Sequence, residues 1–200
     1  MKRTITLGTL AALAALMLAW GGLAHEGGPV VDGIVNDGEY DHHYTNEDLN
    51  MKVHWTVDIE EGAITFALEA PTTGWLGIGF TSTGLKKRDA DMILGFFHDE
   101  DGETDILDAF QQSPISPPMA DTFLGGTDDI ESAVAIQTEA DTTLEFVRKL
   151  NTGDEFDAAL TPGQQTMLLA YGEQDNLNNY HGQNRVAVTV DLFAGTVSAG

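Results

Sequence analysis

Met51-Lys52-Val53-His54-Trp55-Thr56-Val57-Asp58, then Glu60-Glu61-Gly62, then Ile64-Thr65-Phe66-Ala67-Leu68-Glu69, decides the fold. Apolar side chains fall on every second position of both runs. That period places one face of each segment in a core and the other in solvent, as in half-buried β-strands. The acidic, glycine-closed turn between them makes the pair a hairpin.

Working outward, Pro71 to Gly74 ends the second strand, and Gly74-Trp75-Leu76-Gly77-Ile78-Gly79-Phe80 reads as the next. Three glycines weaken a strand, so they signal a bulge or a close approach of the backbone to another group. Met92-Ile93-Leu94-Gly95-Phe96-Phe97 is apolar on both faces, the mark of a buried central strand. Further strands are read at 105–110, 130–138, 142–149, 166–171 and 186–193, with a short one near 30–34. Residues 111–127, with three prolines, read as a long loop. No sustained helical period is visible beyond residue 24. Short strands with turns at near-regular spacing argue for an all-β sandwich or barrel.

The N-terminus is laid out as a secretory signal. Lys2 and Arg3 precede an apolar stretch from Ile5 to Trp20, and Gly22-Leu23-Ala24 supplies the small residues of a cleavage site. The expectation is a signal peptide over residues 1–24, with an uncleaved membrane anchor as the alternative. A lead-in follows over 25–49, the sandwich over 50–194 and a tail over 195–200. The protein is then exported, to a periplasm or the extracellular space.

The chain has 9 Lys+Arg against 32 Asp+Glu, a formal charge of −23; removing Lys2 and Arg3 leaves 7 against 32, or −25. Such a surface repels nucleic acid and anionic lipid. It suits either a salty habitat or a basic partner. With no Cys, disulfides, iron–sulfur clusters, covalent c-type heme attachment and thiol catalysis are excluded.

Four ordered blocks carry a resemblance. They are the Gly74–Phe80 run, Ala90-Asp91-Met92-Ile93-Leu94-Gly95-Phe96, the run from Thr143 through Arg148 to Asp154, and Leu169-Ala170-Tyr171-Gly172 with Tyr180-His181-Gly182-Gln183-Asn184-Arg185. Together they resemble the DOMON domain over about residues 32–193. The resemblance implies an immunoglobulin-like antiparallel β-sandwich of about nine to eleven strands. It also implies an exported module that binds heme or a sugar-like ligand. Several such domains are b-type cytochromes that exchange electrons with a redox partner protein or membrane cytochrome.

On that basis heme b is the expected cofactor, and His181 takes the position of one axial iron ligand. Tyr180 flanks it, and Arg185 is placed to meet a propionate. Gly182 would allow the heme plane to approach. In heme-binding relatives a Met precedes the Ala-Asp pair. Here that loop reads Gly84-Leu85-Lys86-Lys87-Arg88-Asp89. Lys86 or Lys87 would have to lose its proton to ligate iron, and Met92 is the other candidate. The alternative is a heme-free slot for a carbohydrate or other small ligand, lined by Trp75, Met92, Phe96 and Tyr171. A purely structural domain with a packed core is the third possibility.

Other features read more plainly. His42-His43 offers imidazoles, but neighbours on a strand point to opposite faces. His98 to Glu103 carries oxygen donors without EF-hand spacing and reads as a hairpin turn. Trp55, in an alternating strand, reads as core. No nucleophile–base arrangement is visible, so a binding or electron-transfer module is expected rather than an enzyme.

Overall fold

The computed structural model describes residues 27–81, 89–99, 101–113 and 115–199. The strands are β1 (His42–Asn46), β2 (Met51–Asp58), β3 (Ala63–Ala70), β4 (Leu76–Thr81), β5 (Ala90–His98), β6 (Glu103–Gln111), β7 (Met119–Ala120), β8 (Ile130–Gln137), β9 (Thr142–Lys149), β10 (Gln165–Tyr171), β11 (Arg185–Asp191) and β12 (Thr196–Ala199). One short helix, α1 (Asp121–Leu124), follows β7. They form a five-stranded sheet, β1-β2-β3-β9-β8, and a seven-stranded sheet, β12-β11-β10-β4-β5-β6-β7. Every pairing is antiparallel.

The inner faces are those that the alternation assigns. Met51, Val53 and Trp55 of β2, Ile64, Phe66 and Leu68 of β3, and Leu144 and Phe146 of β9 meet Leu76, Ile78 and Phe80 of β4, Ile93 of β5 and Met167 and Leu169 of β10 in one core. Trp55 is fully buried, and its Nε1 donates to the Leu192 carbonyl at 2.9 Å. That satisfies the indole's polar atom and fixes Trp55 as core.

Among the described residues there are twelve strands, more than expected. Residues 196–199, read as tail, pair with β11, and β7 adds two residues to the seven-stranded edge. The strand expected near 30–34 does not form. There the chain turns through Gly33 at φ +83°, where a Cβ would overlap the Ile136 side chain. The Asp32 and Gly33 amides donate to Glu145 Oε2 at 2.9 and 2.6 Å, and the Tyr40 hydroxyl donates to Oε1 at 2.6 Å. A fully buried carboxylate on the outer face of β9 therefore takes the donors that a sheet ladder would have used. The lead-in's strand is instead β1.

Arg148 joins the sheets from within. Only 1% exposed, it pairs through Nη1 with Asp91 of β5 and through Nη2 with Asp157 Oδ2 at 3.3 Å. The Ala158 amide closes the ring by donating to Asp91 Oδ2 at 2.9 Å. Residue 91 thus fixes the central strand on its inner face, one position before Met92 on its outer face.

Candidate functional site

The outer face of the seven-stranded sheet carries a second apolar cluster, where a solvated face would ordinarily be polar. Trp75, Leu94, Phe96 and Ala109 are buried there, with Met92, Leu107, Ala170 and Leu177 packed around them. Two loop segments rise from this floor, 115–118 before β7 and 172–184 between β10 and β11. Between them lies a cleft of about 840 Å³, within the size range of cofactor sites. Gly77, Met92, Leu94, Leu168, Ala170 and Ala187 form its base, and Ile115, Pro117, Asn178, Tyr180, His181 and Arg185 contribute to its walls.

The strand glycines make the room that this floor needs. A Cβ on Gly77 would stand 3.2 Å from Trp75 Cζ3, and one on Gly79 would overlap Met92 Sδ. Trp75 is itself a wedge, 4% exposed. Its Nε1 donates to the Asn179 carbonyl at 2.9 Å, and its carbonyl accepts from the Gly172 amide at 2.9 Å. A Cβ on Gly172 would overlap the indole. Thr72 Oγ1 donates to the Gly172 carbonyl at 2.6 Å, pinning the start of the loop that presents His181.

His181 is half-buried. Its ring lies edge-on to Trp75 at 6.4 Å and against Tyr180 at 4.3 Å between centroids. Nδ1 lies 3.0 Å from the Gly182 carbonyl. Arg185 Nη1 lies 3.4 Å from the same nitrogen, so the loop holds the ring from the Nδ1 side. Gly182 sits at φ +59°, which a glycine adopts without strain. Arg185 Nη1 donates to the Tyr180 hydroxyl at 3.0 Å and to the Gly182 carbonyl, so the guanidinium is held at the mouth beside a 66% exposed Tyr180.

His181, Met92, Arg185, Tyr180 and Trp75 thus meet at one cleft, and Met92 does face it. Lys86 and Lys87 lie outside the described residues. Two expectations need correction. Tyr171 alternates with Ala170 on β10 and turns to the inner core. Phe96 belongs to the outer cluster but packs beside the cleft rather than lining it. The wall from 115–118 was read only as loop; its proline pair was the available signal. Trp75 buries its ring under the 172–184 loop, so it offers no open face on which a sugar could stack.

The inner faces of β5 and β6 hold a separate acidic group. One oxygen each of Asp91, Asp108 and Asp157 lies within 4.8 Å of the others, with the Arg148 guanidinium already among them. Asp121, 1% exposed, stands near Asp108, and no hydrogen bond reaches either of its carboxylate oxygens. Burial first, then neighbouring carboxylates, pushes Asp121 up to about 8. Burial likewise raises Asp108 to about 7 and Asp91 to about 6, against the pull of Arg148. These groups face away from the cleft and bear on stability.

A two-sheet sandwich with a loop-walled cleft on one outer face defines a binding module of the DOMON class. The DOMON domain model matches residues 47–172, and the chain belongs to that family. It is 29% identical over 143 residues to MOXD1 homolog 1 of Drosophila melanogaster, covering 70% of this chain and 20% of that protein. It is 29% identical over 132 residues to DBH-like monooxygenase protein 2 of Mus musculus, covering 62% and 19%. The chain therefore matches about a fifth of the length of these relatives. In fold it is similar to the cytochrome b domain of pyranose dehydrogenase from Coprinopsis cinerea, with a TM-score of 0.53, 11% identity and coverage of 76% of this chain and 82% of that one. It is also similar to the cytochrome domain of Myriococcum thermophilum cellobiose dehydrogenase, with a TM-score of 0.52, 11% identity and coverage of 71% and 74%. Among the described residues no helix is long and apolar enough to cross a membrane.

Proposed function

We propose that the outer-face cleft binds a b-type heme and that the protein is an exported electron-transfer module. The observation that carries this reading is His181. It is a half-buried imidazole on the wall of an apolar cleft, held by its own loop beside Trp75 and Tyr180. The residues fit the group. The floor is aliphatic, the glycines at 77 and 79 keep it low, and Arg185 and Asn178 stand at the polar rim where two carboxylates would emerge. The similarity in fold to two cytochrome domains is consistent with it.

His181 would supply one nitrogen ligand to the iron, its ring oriented by the Gly182 and Arg185 contacts of its loop. The other ligand would be Met92, or Lys86 or Lys87 from the stretch of sequence before β5. Bound heme supplies one-electron chemistry, and the protein sets its potential through ligand type, burial and hydrogen bonding. Trp75 and the proline wall would exclude water from one side, and Arg185 would balance propionate charge. The electron would pass to or from a separate redox partner or membrane cytochrome, for which the acidic surface favours a basic docking face.

The test is the visible spectrum of the exported protein, made with heme supplied, before and after dithionite. Sharp reduced α and β bands that vanish in His181→Ala are expected. A flat spectrum after adding hemin would overturn the reading and direct the work to carbohydrate and small-ligand screens.

A further inference from the structure

The outer face of the other sheet holds an arrangement that the heme reading does not use. The His42-His43 pair straddles β1, so the two rings take opposite faces. His42 packs on Trp55 with ring centroids 5.5 Å apart. His43 stands directly across from His54 of β2 in the β1–β2 register, and their rings are 6.2 Å apart and 31° from parallel. His54 Nε2 lies 2.9 Å from Glu69 Oε2 on β3. That hydrogen bond, together with Lys52, holds the Glu69 carboxyl below its ordinary range, so it is ionised at neutral pH. Nearby Tyr40, whose ring is 5.8 Å from His54, donates its proton to Glu145 and is held well above its ordinary range. It therefore remains a neutral phenol.

We propose that His43 and His54 form a surface site for a divalent transition metal of the Zn²⁺ or Ni²⁺ class, with Glu69 as the carboxylate that orients His54. Metal–nitrogen bonds of 2.0–2.1 Å put two imidazoles that share one ion at roughly 5–6 Å between centroids. The observed 6.2 Å lies just beyond that range, and a small rotation of the exposed His43 closes it. With Glu69 on Nε2, His54 presents Nδ1, which is the carboxylate–histidine–metal arrangement found around bound zinc. Imidazole donors select this class over Ca²⁺ and Mg²⁺, which prefer oxygen. The strongly negative chain adds a field that favours any cation. Lys52, 3.3 Å from Glu69, opposes it locally, and solvent would fill the remaining positions.

The experiment is calorimetric titration of the full chain, purified without a polyhistidine tag, with Zn²⁺ and separately with Ni²⁺, in excess Ca²⁺. One equivalent should bind in the wild type. His43→Ala and His54→Ala should each weaken it at least tenfold. Glu69→Gln should weaken it about tenfold through loss of the orienting charge, and His42→Ala should leave it unchanged. His43 is exposed, so its variant folds and decides the matter even where His54→Ala does not. Unchanged affinity in His43→Ala, or binding that Ca²⁺ abolishes, would overturn the site.

Discussion

Replacing Asp121 with Asn should flatten the pH dependence of stability. In the native state the Asp121 carboxyl is 1% exposed and receives no hydrogen bond. Burial and the charges of Asp108, Asp157 and Asp91 push it up to about 8, from 3.8. The folded protein therefore keeps a proton that the unfolded chain releases. Stability from this group is fully present below pH 4, declines as the pH rises, and is lost by about pH 8. Between those limits one extra proton on the native state gives a slope of about −1.4 kcal/mol per pH unit. From pH 5 to pH 7.5 that amounts to roughly 3 kcal/mol, a large share of the total for a domain of this size. Asn matches the protonated carboxyl in shape and charge and has no proton to lose. Urea unfolding of wild type and Asp121→Asn at half-unit steps across that interval measures both slopes. The variant should gain on the wild type steadily as the pH rises. Parallel profiles would refute the buried, protonated carboxyl.

Removing Arg148 leaves Asp91 and Asp157 buried without their cation, so Arg148→Ala should cost about 3–5 kcal/mol in urea unfolding. Gly172→Ala sets a methyl group into the Trp75 indole and should cost about 1–3 kcal/mol, with a shift in tryptophan fluorescence and weakened hemin uptake. Trp75→Phe loses the bond to the Asn179 carbonyl; about 1 kcal/mol should follow, with faster hydrogen exchange in 172–184 than in the sheet.

The sandwich was legible because its core strands obey a two-residue period, and β2, β3 and β9 bury the faces that the pattern names. The lead-in was not, because Glu145 lies on the face the period assigns to solvent. Nothing local to Leu144-Glu145-Phe146 says that Asp32, Gly33 and Tyr40 will return from more than a hundred positions away to cover it. The cleft was half legible. His181 and Arg185 were placed by the family resemblance, and the glycines of β4 announced a close approach without saying to what. Tyr171 was misplaced because a short apolar strand, buried on both faces, carries no alternation from which to tell inward from outward. Its register against Leu76 settles the question.

The outer apolar face is built differently from one that packs under a further sheet. A sheet face meant for another sheet carries side chains that interdigitate. This one carries glycine at 77 and 79 and alanine at 170 and 187, so the backbone itself forms part of the floor and the neighbouring Trp75, Met92 and Leu94 pack over the glycines. A flat floor needs rigid strands, and the rigidity comes from the inner face of the same residues' strands. Asp91 is tied to Arg148 and Ala158, Ile93 lies in the core, and Gly95 yields to the Leu144 side chain. Adjacent positions of β5 thus divide the work, odd numbers holding the sheets together and even numbers shaping the cleft. Substitutions at 91 and 92 should consequently separate in their effects, the first read in unfolding and the second in the occupant of the cleft.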